Sequence, residues 1–269
     1  MLSSQTVIIK ARKIVNLQRI FYDMANILNI ETSTDVCSVA LSSDGMVLEH
    51  HEDYEGRNHA TVLNVFLDDI MKYVTSREIK LDAVAVSIGP GSYTGLRIGL
   101  SEAKGLCFGY GVPLIGVNTL KLMSVTALFS RYNDDDTLYV PMIDARRMEV
   151  YTAVYNNALE EVLAPQAMVL DETSFRQFAD KKLLFVGNGS GKWKELKQMP
   201  GAHYLCDLKP EAVNMVALSE LAFRKGEFLD VAYSTPLYLK EFQATTPKNK
   251  VFKELFGAHC LIFNNEKQK

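Results

Sequence analysis

The stretch Thr94 to Gly109, TGLRIGLSEAKGLCFG, is the feature that most narrows what this chain can fold into. It reads as a helix, yet it carries Gly95, Gly99, Gly105 and Gly109. Each helical glycine costs about 1 kcal/mol relative to alanine, so several together indicate a packing requirement. Gly95, Gly99 and Ala103 recur at four-residue spacing, and so do Ser101, Gly105 and Gly109. These two small-residue rows lie on different faces, which lets neighbouring backbones approach the helix from two sides.

An apolar strand, Val84 to Ile88, feeds this helix through Gly89-Pro90-Gly91-Ser92-Tyr93-Thr94-Gly95. Two readings fit the turn. Gly89, Gly91, Ser92 and Thr94 could present amides and hydroxyls to an anion at a helix N-terminus. Alternatively the glycines form a tight turn that lets the helix pack closely, and the small-residue rows favour this second reading. A dinucleotide fingerprint does not fit, because three residues separate the second and third glycines and no acidic residue ends the next strand. Gly187-Asn188-Gly189-Ser190-Gly191-Lys192-Trp193 fails the phosphate-loop pattern in both spacing and hydroxyl.

Around this unit the order of elements is regular. Ile27 to Glu31, Val36 to Leu41 and Met46 to Glu49 form a β-meander turned by Ser42-Ser43-Asp44-Gly45. Asn58 is placed to cap a helix running to Thr75, with apolar positions at Leu63, Phe66, Leu67, Ile70 and Val74. Val62 and Val65 widen that stripe beyond one core face. After the glycine helix come a strand at Pro113 to Val117 and a helix capped by Asn118 or Thr119. The second half echoes the first: Leu138 to Asp144 ends in a carboxylate as Ile27 to Glu31 does, Met148 to Tyr155 follows it, and Leu183 to Gly189 repeats the strand-then-glycine pattern. Ala212 to Arg224 is a helix. The expectation is an α/β chain with a lobe at residues 24–130 and a second at 131–240. Residues 1–23 would be an N-terminal extension, with Met24 a candidate true start, and 241–269 a C-terminal tail.

Composition bounds the partners. Of 269 residues, 48% are hydrophobic and 23% charged, as in an ordinary globular protein. A net charge of −3 argues against the whole surface binding nucleic acid, although a local basic patch is compatible with it. Four cysteines without paired spacing give zinc and redox motifs no support and suit a reducing, cytoplasmic setting. No apolar run approaches membrane-spanning length, so no membrane partner is expected.

Asn29-Ile30-Glu31-Thr32-Ser33-Thr34, Gly89 to Gly99 and Pro113-Leu114-Ile115-Gly116-Val117 together resemble the bacterial TsaB (YeaZ) family. The likeness is specific over residues 25–125 and looser, through Pro236-Leu237-Tyr238-Leu239-Lys240, to about 240. It implies the two-lobed fold of the actin-like, sugar-kinase and Hsp70 ATPases (the ASKHA, ribonuclease H-like class). It also implies a non-catalytic subunit that docks on the paralogue TsaD and works with the ATPase TsaE. Together these make threonylcarbamoyladenosine on tRNAs that read codons beginning with A. ATP, ADP and Mg would then belong to the complex, with no cofactor held tightly here, and tRNA would be met through the complex.

At the two positions where TsaD carries a metal-binding histidine pair, the resemblance places Thr119 and Met123, which cannot replace imidazoles. None of His50, His51, His59, His203 and His259 forms a helical i,i+4 pair. Glu31 and Asp144 occupy the strand ends where such ATPases hold Mg and phosphates, but the glycines that follow in those enzymes are missing. They are the weak candidates for cleft carboxylates, and the alternative reading is a self-sufficient ATP-dependent kinase or hydrolase that uses them. No serine or cysteine has a plausible base beside it, so peptidase chemistry lacks support. In the family, the two helices beginning near Asn58 and Thr94 bundle with those of TsaD, or of a second copy in a homodimer. Val62, Leu63, Phe66, Ile70, Leu96, Leu100 and Ala103 are therefore candidates for core or interface.

Overall fold

The computed structural model describes residues 25–240 apart from 57, 131 and 133–135. The expected extension at 1–23, the candidate start at Met24 and the tail at 241–269 lie outside the described residues.

The chain opens with β1 (Asn26–Glu31), β2 (Cys37–Ser43) and β3 (Met46–Asp53), the predicted meander, with Asp44 and Gly45 both at positive φ in the β2–β3 turn. Helix α1 (His59–Ser76) follows and buries Leu63, Leu67, Ile70 and Val74, one side chain per turn. Asn58 holds the position before α1, but at φ 62° it makes no side-chain cap. A capping residue ordinarily sits in the β region, from which its oxygen reaches the first amides. Strand β4 (Ala83–Gly89) leads into α2 (Tyr93–Tyr110), whose cap is Ser92 and which ends at Gly111 in the left-handed conformation. Next come β5 (Leu114–Asn118) and α3 (Thr119–Leu128), where Asn118 Oδ1 accepts from the Leu120 and Lys121 amides at 2.9 and 3.1 Å.

The second half comprises β6 (Thr137–Asp144), β7 (Glu149–Tyr155), β8 (Glu161–Val169), a 3-10 turn at Arg176–Phe178, β9 (Lys182–Val186), α4 (Ser190–Leu196), β10 (His203–Leu205) and α5 (Ala212–Lys225). Of these, β8, α4 and β10 have no counterpart in the sequence reading. Pro165 interrupts the donor row of β8, which is tolerated because β8 is an edge strand.

The two sheets are built alike. The first runs β3-β2-β1-β4-β5 and the second β8-β7-β6-β9-β10. In each, the first three strands are antiparallel and the last two join in parallel. This is one strand order used twice, as the echo in the sequence predicts.

The terminal helices tie the halves together: α3 bridges both sheets, with Leu122 in the core of the first, and α5 packs on the first sheet. Leu120, Met123 and Ala127 of α3 pack with Tyr139, Ile143 and Leu184 of the second sheet. Met215 of α5 packs with Ile27, Ala85 and Ile115 of the first. A boundary at 130/131 therefore separates the sheets but cuts through both of these cores. On the opposite face of the first sheet lie α1 and α2. The opposite face of the second is closed by an aromatic cluster in which Phe175 meets Phe185 and Trp193, ring centroids 5.5 Å apart in each case.

Candidate functional site

The glycine turn is filled by the protein itself. Where β1 ends, the chain turns through Thr32 and Ser33, and α2 presses its first row of small residues against that turn. A Cβ on Gly91 would overlap the Ser33 carbonyl oxygen, one on Gly95 the Thr32 carbonyl oxygen, and one on Gly99 the Thr32 hydroxyl. Hydrogen bonds fix the contact: the Ser92 amide donates to Ser33 O at 2.7 Å, and Thr32 Oγ1 donates to Gly95 O at 2.8 Å. Gly89, at φ 110°, backs onto Leu237, whose amide donates to Ile88 O at 2.7 Å.

This changes what the loop offers an anion. The Ser92 amide is spent on Ser33, the Gly95 amide on Ser92 Oγ and the Leu96 amide on Ser92 O. Of the four residues named for such a site, Gly89 is buried, Gly91 half-buried, and Ser92 and Thr94 exposed.

Glu31 is fully buried. Its Oε1 accepts from the Ser33 amide at 2.6 Å, while Oε2 accepts no hydrogen bond among the described residues. Burial pushes its carboxyl up from 4.5 to about 7, against a partial pull downwards from Ser33 and the nearby Ser87 hydroxyl. Asp144 is in the opposite situation. It is exposed, and its Oδ1 accepts from Lys192 Nζ and from the Arg146 amide, both at 2.6 Å.

The two carboxylates thus do not pair across one cleft, contrary to expectation. Side chains alternate along a strand. Glu31 shares the parity of Ile27, on the face where α5 packs, whereas Asp144 shares the parity of Val140 and Met142, on the face closed by α4. Equivalent strand ends therefore aim their acids at non-equivalent faces.

Thr119 and Met123 are buried, and the Met123 methyl lies against Gly187. Gly187 and Gly189 stack on the Met142 carbonyl, so the glycines of that segment also serve packing. Among the described residues, no group of three or more His, Cys, Asp or Glu is arranged to hold a metal ion. No helix there is long and apolar enough to cross a membrane.

Among the described residues, the second small-residue row of α2 has no neighbour. Ser101, Gly105 and Gly109 are exposed, and a Cβ on Gly105 or Gly109 would meet nothing within 4 Å. Phe108 lies beside that row and is 88% exposed. On α1, Val65 is 54% exposed and Val62 and Phe66 are half-buried, Phe66 stacking on His51 at 5.4 Å. Of the seven candidates for core or interface, Leu63, Ile70, Leu96, Leu100 and Ala103 are buried in this chain's own core, and only Val62 and Phe66 reach the surface. Sequence reasoning missed Phe108, although it falls on the face already marked by Ser101 and Gly105.

Residues 47–235 match a family model described as TsaD: tRNA N6-adenosine threonylcarbamoyltransferase. Over 226 residues the chain is 34% identical to a protein of Escherichia coli (strain K12) named tRNA threonylcarbamoyladenosine biosynthesis protein TsaB, covering 80% of this chain and 94% of that one. A Bacillus subtilis (strain 168) protein of the same name is 29% identical over 225 residues, covering 81% and 95%. The solved structure of YeaZ from Pseudomonas aeruginosa superposes with a TM-score of 0.68 at 28% identity, covering 80% of this chain and all of that one. A strand order used twice makes this a duplicated, two-lobed α/β protein with the fold of YeaZ. Within that class, the chain belongs to the TsaB (YeaZ) family.

Proposed function

We propose that this chain serves tRNA threonylcarbamoyladenosine biosynthesis as a non-catalytic subunit, docking on a TsaD-type transferase through the open row of α2 and the adjoining side of α1. The names of its relatives support the pathway. The observation that carries the docking role is the contrast between the two rows of one helix. Gly95 and Gly99 are sealed against Thr32, while Gly105 and Gly109, beside an exposed phenylalanine, meet nothing among the described residues. Helix glycines that close no contact within the chain cost stability without return unless another backbone comes to them. The ATPase TsaE and its nucleotide belong to the complex in this reading. The self-packed glycine turn and the separated Glu31 and Asp144 support a chain without catalysis of its own.

Phe108→Asp is the direct test, because the side chain is solvated and its loss leaves the fold intact. The purified variant should melt with the wild type but no longer co-elute with the organism's own TsaD-type protein, and the reconstituted mixture should lose tRNA modification. Retained co-elution would refute the assignment of this face. ATP turnover by the isolated wild-type chain would favour the enzyme reading.

A further inference from the structure

The turn between β6 and β7 carries a feature that the docking role does not use. Arg146 and Arg147 both sit at positive φ, 69° and 50°. The left-handed region disfavours any residue with a Cβ, and glycine, asparagine and aspartate are what such hairpin positions ordinarily hold. Two arginines there serve the backbone poorly. What they add is a pair of guanidinium groups at an exposed tip.

The base of the turn is rigid and electrically settled. The Ala145 amide donates to Glu149 O at 3.0 Å and the Glu149 amide to Arg146 O at 3.1 Å. Lys192 Nζ reaches Asp144 Oδ1 at 2.6 Å and Glu149 O at 3.3 Å, bracing both strands. Asp144, the acid that flanks the arginines on one side, is already held by Lys192 and by the Arg146 amide. On the other side stands Glu149, half-buried. Neither guanidinium has a hydrogen bond, an ion pair or an aromatic face among the described residues. By contrast, Arg97 bonds Tyr93, Arg77 lies over Tyr73, and Arg224 pairs with Asp44.

We propose that the Arg146–Arg147 tip is a contact for the phosphate backbone of RNA. The proposal rests on the reading that the complex acts on tRNA. Planar guanidinium forks match phosphate oxygens two at a time, which a lysine cannot do. Because the chain as a whole carries −3, its surface does not draw a polyanion, and a local, braced pair would set where the strand lies. Met148, exposed beside the pair, adds an apolar contact that a ribose can use.

The test replaces the pair with the residues the backbone prefers, Arg146→Asn together with Arg147→Gly. The full chain, alone and mixed with its TsaD-type partner, is titrated with an unmodified tRNA transcript between 50 and 200 mM salt. If the tip holds two phosphates, the slope of log affinity against log salt falls by about two and affinity drops roughly tenfold or more. The melting temperature should rise, since strain is relieved, and co-elution with the partner should be unchanged. Stability and RNA binding thus move in opposite directions, which a structural role for the arginines would not produce. An unaltered slope, or a wild-type mixture that does not bind the transcript, overturns the proposal. Loss of co-elution instead would mean that the tip meets an acidic protein surface, and overturns it too. The Phe108→Asp variant reports on docking separately, so failure of that reading is visible without touching the arginines.

Discussion

Replacing Gly105 by alanine is a change whose effects on stability and on docking have opposite signs. No described residue lies within 4 Å of the added methyl, and Gly105 is interior to α2, so the isolated chain should gain the helix-propensity difference. That difference is about 1 kcal/mol. In a chain of this size it raises the melting temperature by roughly 2–4 °C. The matched control is Gly99→Ala in the sealed row. There the new methyl collides with Thr32 Oγ1, which donates to Gly95 O, and touches Val86 Cγ2 at 3.4 Å. Overpacking of about 1–3 kcal/mol and a disturbed buried hydrogen bond of about 1 kcal/mol exceed the same propensity gain. Gly99→Ala should therefore be destabilised by about 2 kcal/mol net. Docking separates the pair further. A backbone brought against the open row must retreat from the Gly105→Ala methyl, and about 1.4 kcal/mol of lost packing weakens binding tenfold. Thermal melts and titration calorimetry against the TsaD-type partner measure both effects. A Gly105→Ala protein that is more stable and docks as well as the wild type would refute close coverage of this row. One that is less stable would refute the description of the row as open.

Glu31→Gln probes the buried carboxyl. The folded state keeps the Glu31 proton up to about pH 7, whereas the unfolded chain releases it near 4.5. The wild type is therefore most stable below about pH 4.5 as far as this group is concerned, and loses about 3 kcal/mol as pH rises through 7. The glutamine variant should match the wild type near pH 5 and exceed it in urea denaturation at pH 8.5; equal stability at both would show that Glu31 does not remain protonated. Leu63→Ala tests the tie between the halves. The cavity lies in the core of the first sheet and should cost about 3 kcal/mol. Fluorescence of the single tryptophan, Trp193, buried beside the second sheet, should lose its midpoint together with far-ultraviolet circular dichroism. Separate transitions would mean that the lobes unfold independently.

Much of the architecture was legible because it is repeated. Two strands that end in carboxylates, each followed by a hairpin and later by a strand running into glycine, foretold two sheets of one strand order. Spacing located the two faces of α2 as well, since four-residue recurrence is a property of the helix itself. It could not say which face the chain would cover, because that depends on Thr32 and Ser33, some sixty residues earlier in sequence. The same gap explains the interface candidates. Leu63, Ile70 and Leu100 satisfy the helical period equally well whether the apolar surface beyond is β2, β4 or another molecule. Strand β8 escaped notice because Pro165 argues against a strand, and only an edge position excuses it. The supposed carboxylate pair failed on parity: duplication preserves the order of strands, but one step along a strand sends a side chain to the other face.

The tie between the halves bears on function as well as on stability. In a two-lobed protein, a cleft can open only if the lobes part, and here α3 packs on both sheets while α5 belongs by sequence to the second half and by packing to the first. Moving the sheets apart would expose Leu120 and Met123 on one side and Met215 on the other, all of them buried. The glycine turn is meanwhile packed from within, by Thr32 and Ser33 against α2 and by Leu237 over Gly89. A chain that has spent its inner glycines on holding itself together carries its outer ones at the surface, where the proposed docking would use them. Gly105 and Gly109 are glycines whose presence no described contact explains, so whether another backbone meets them is the question on which the proposed role turns.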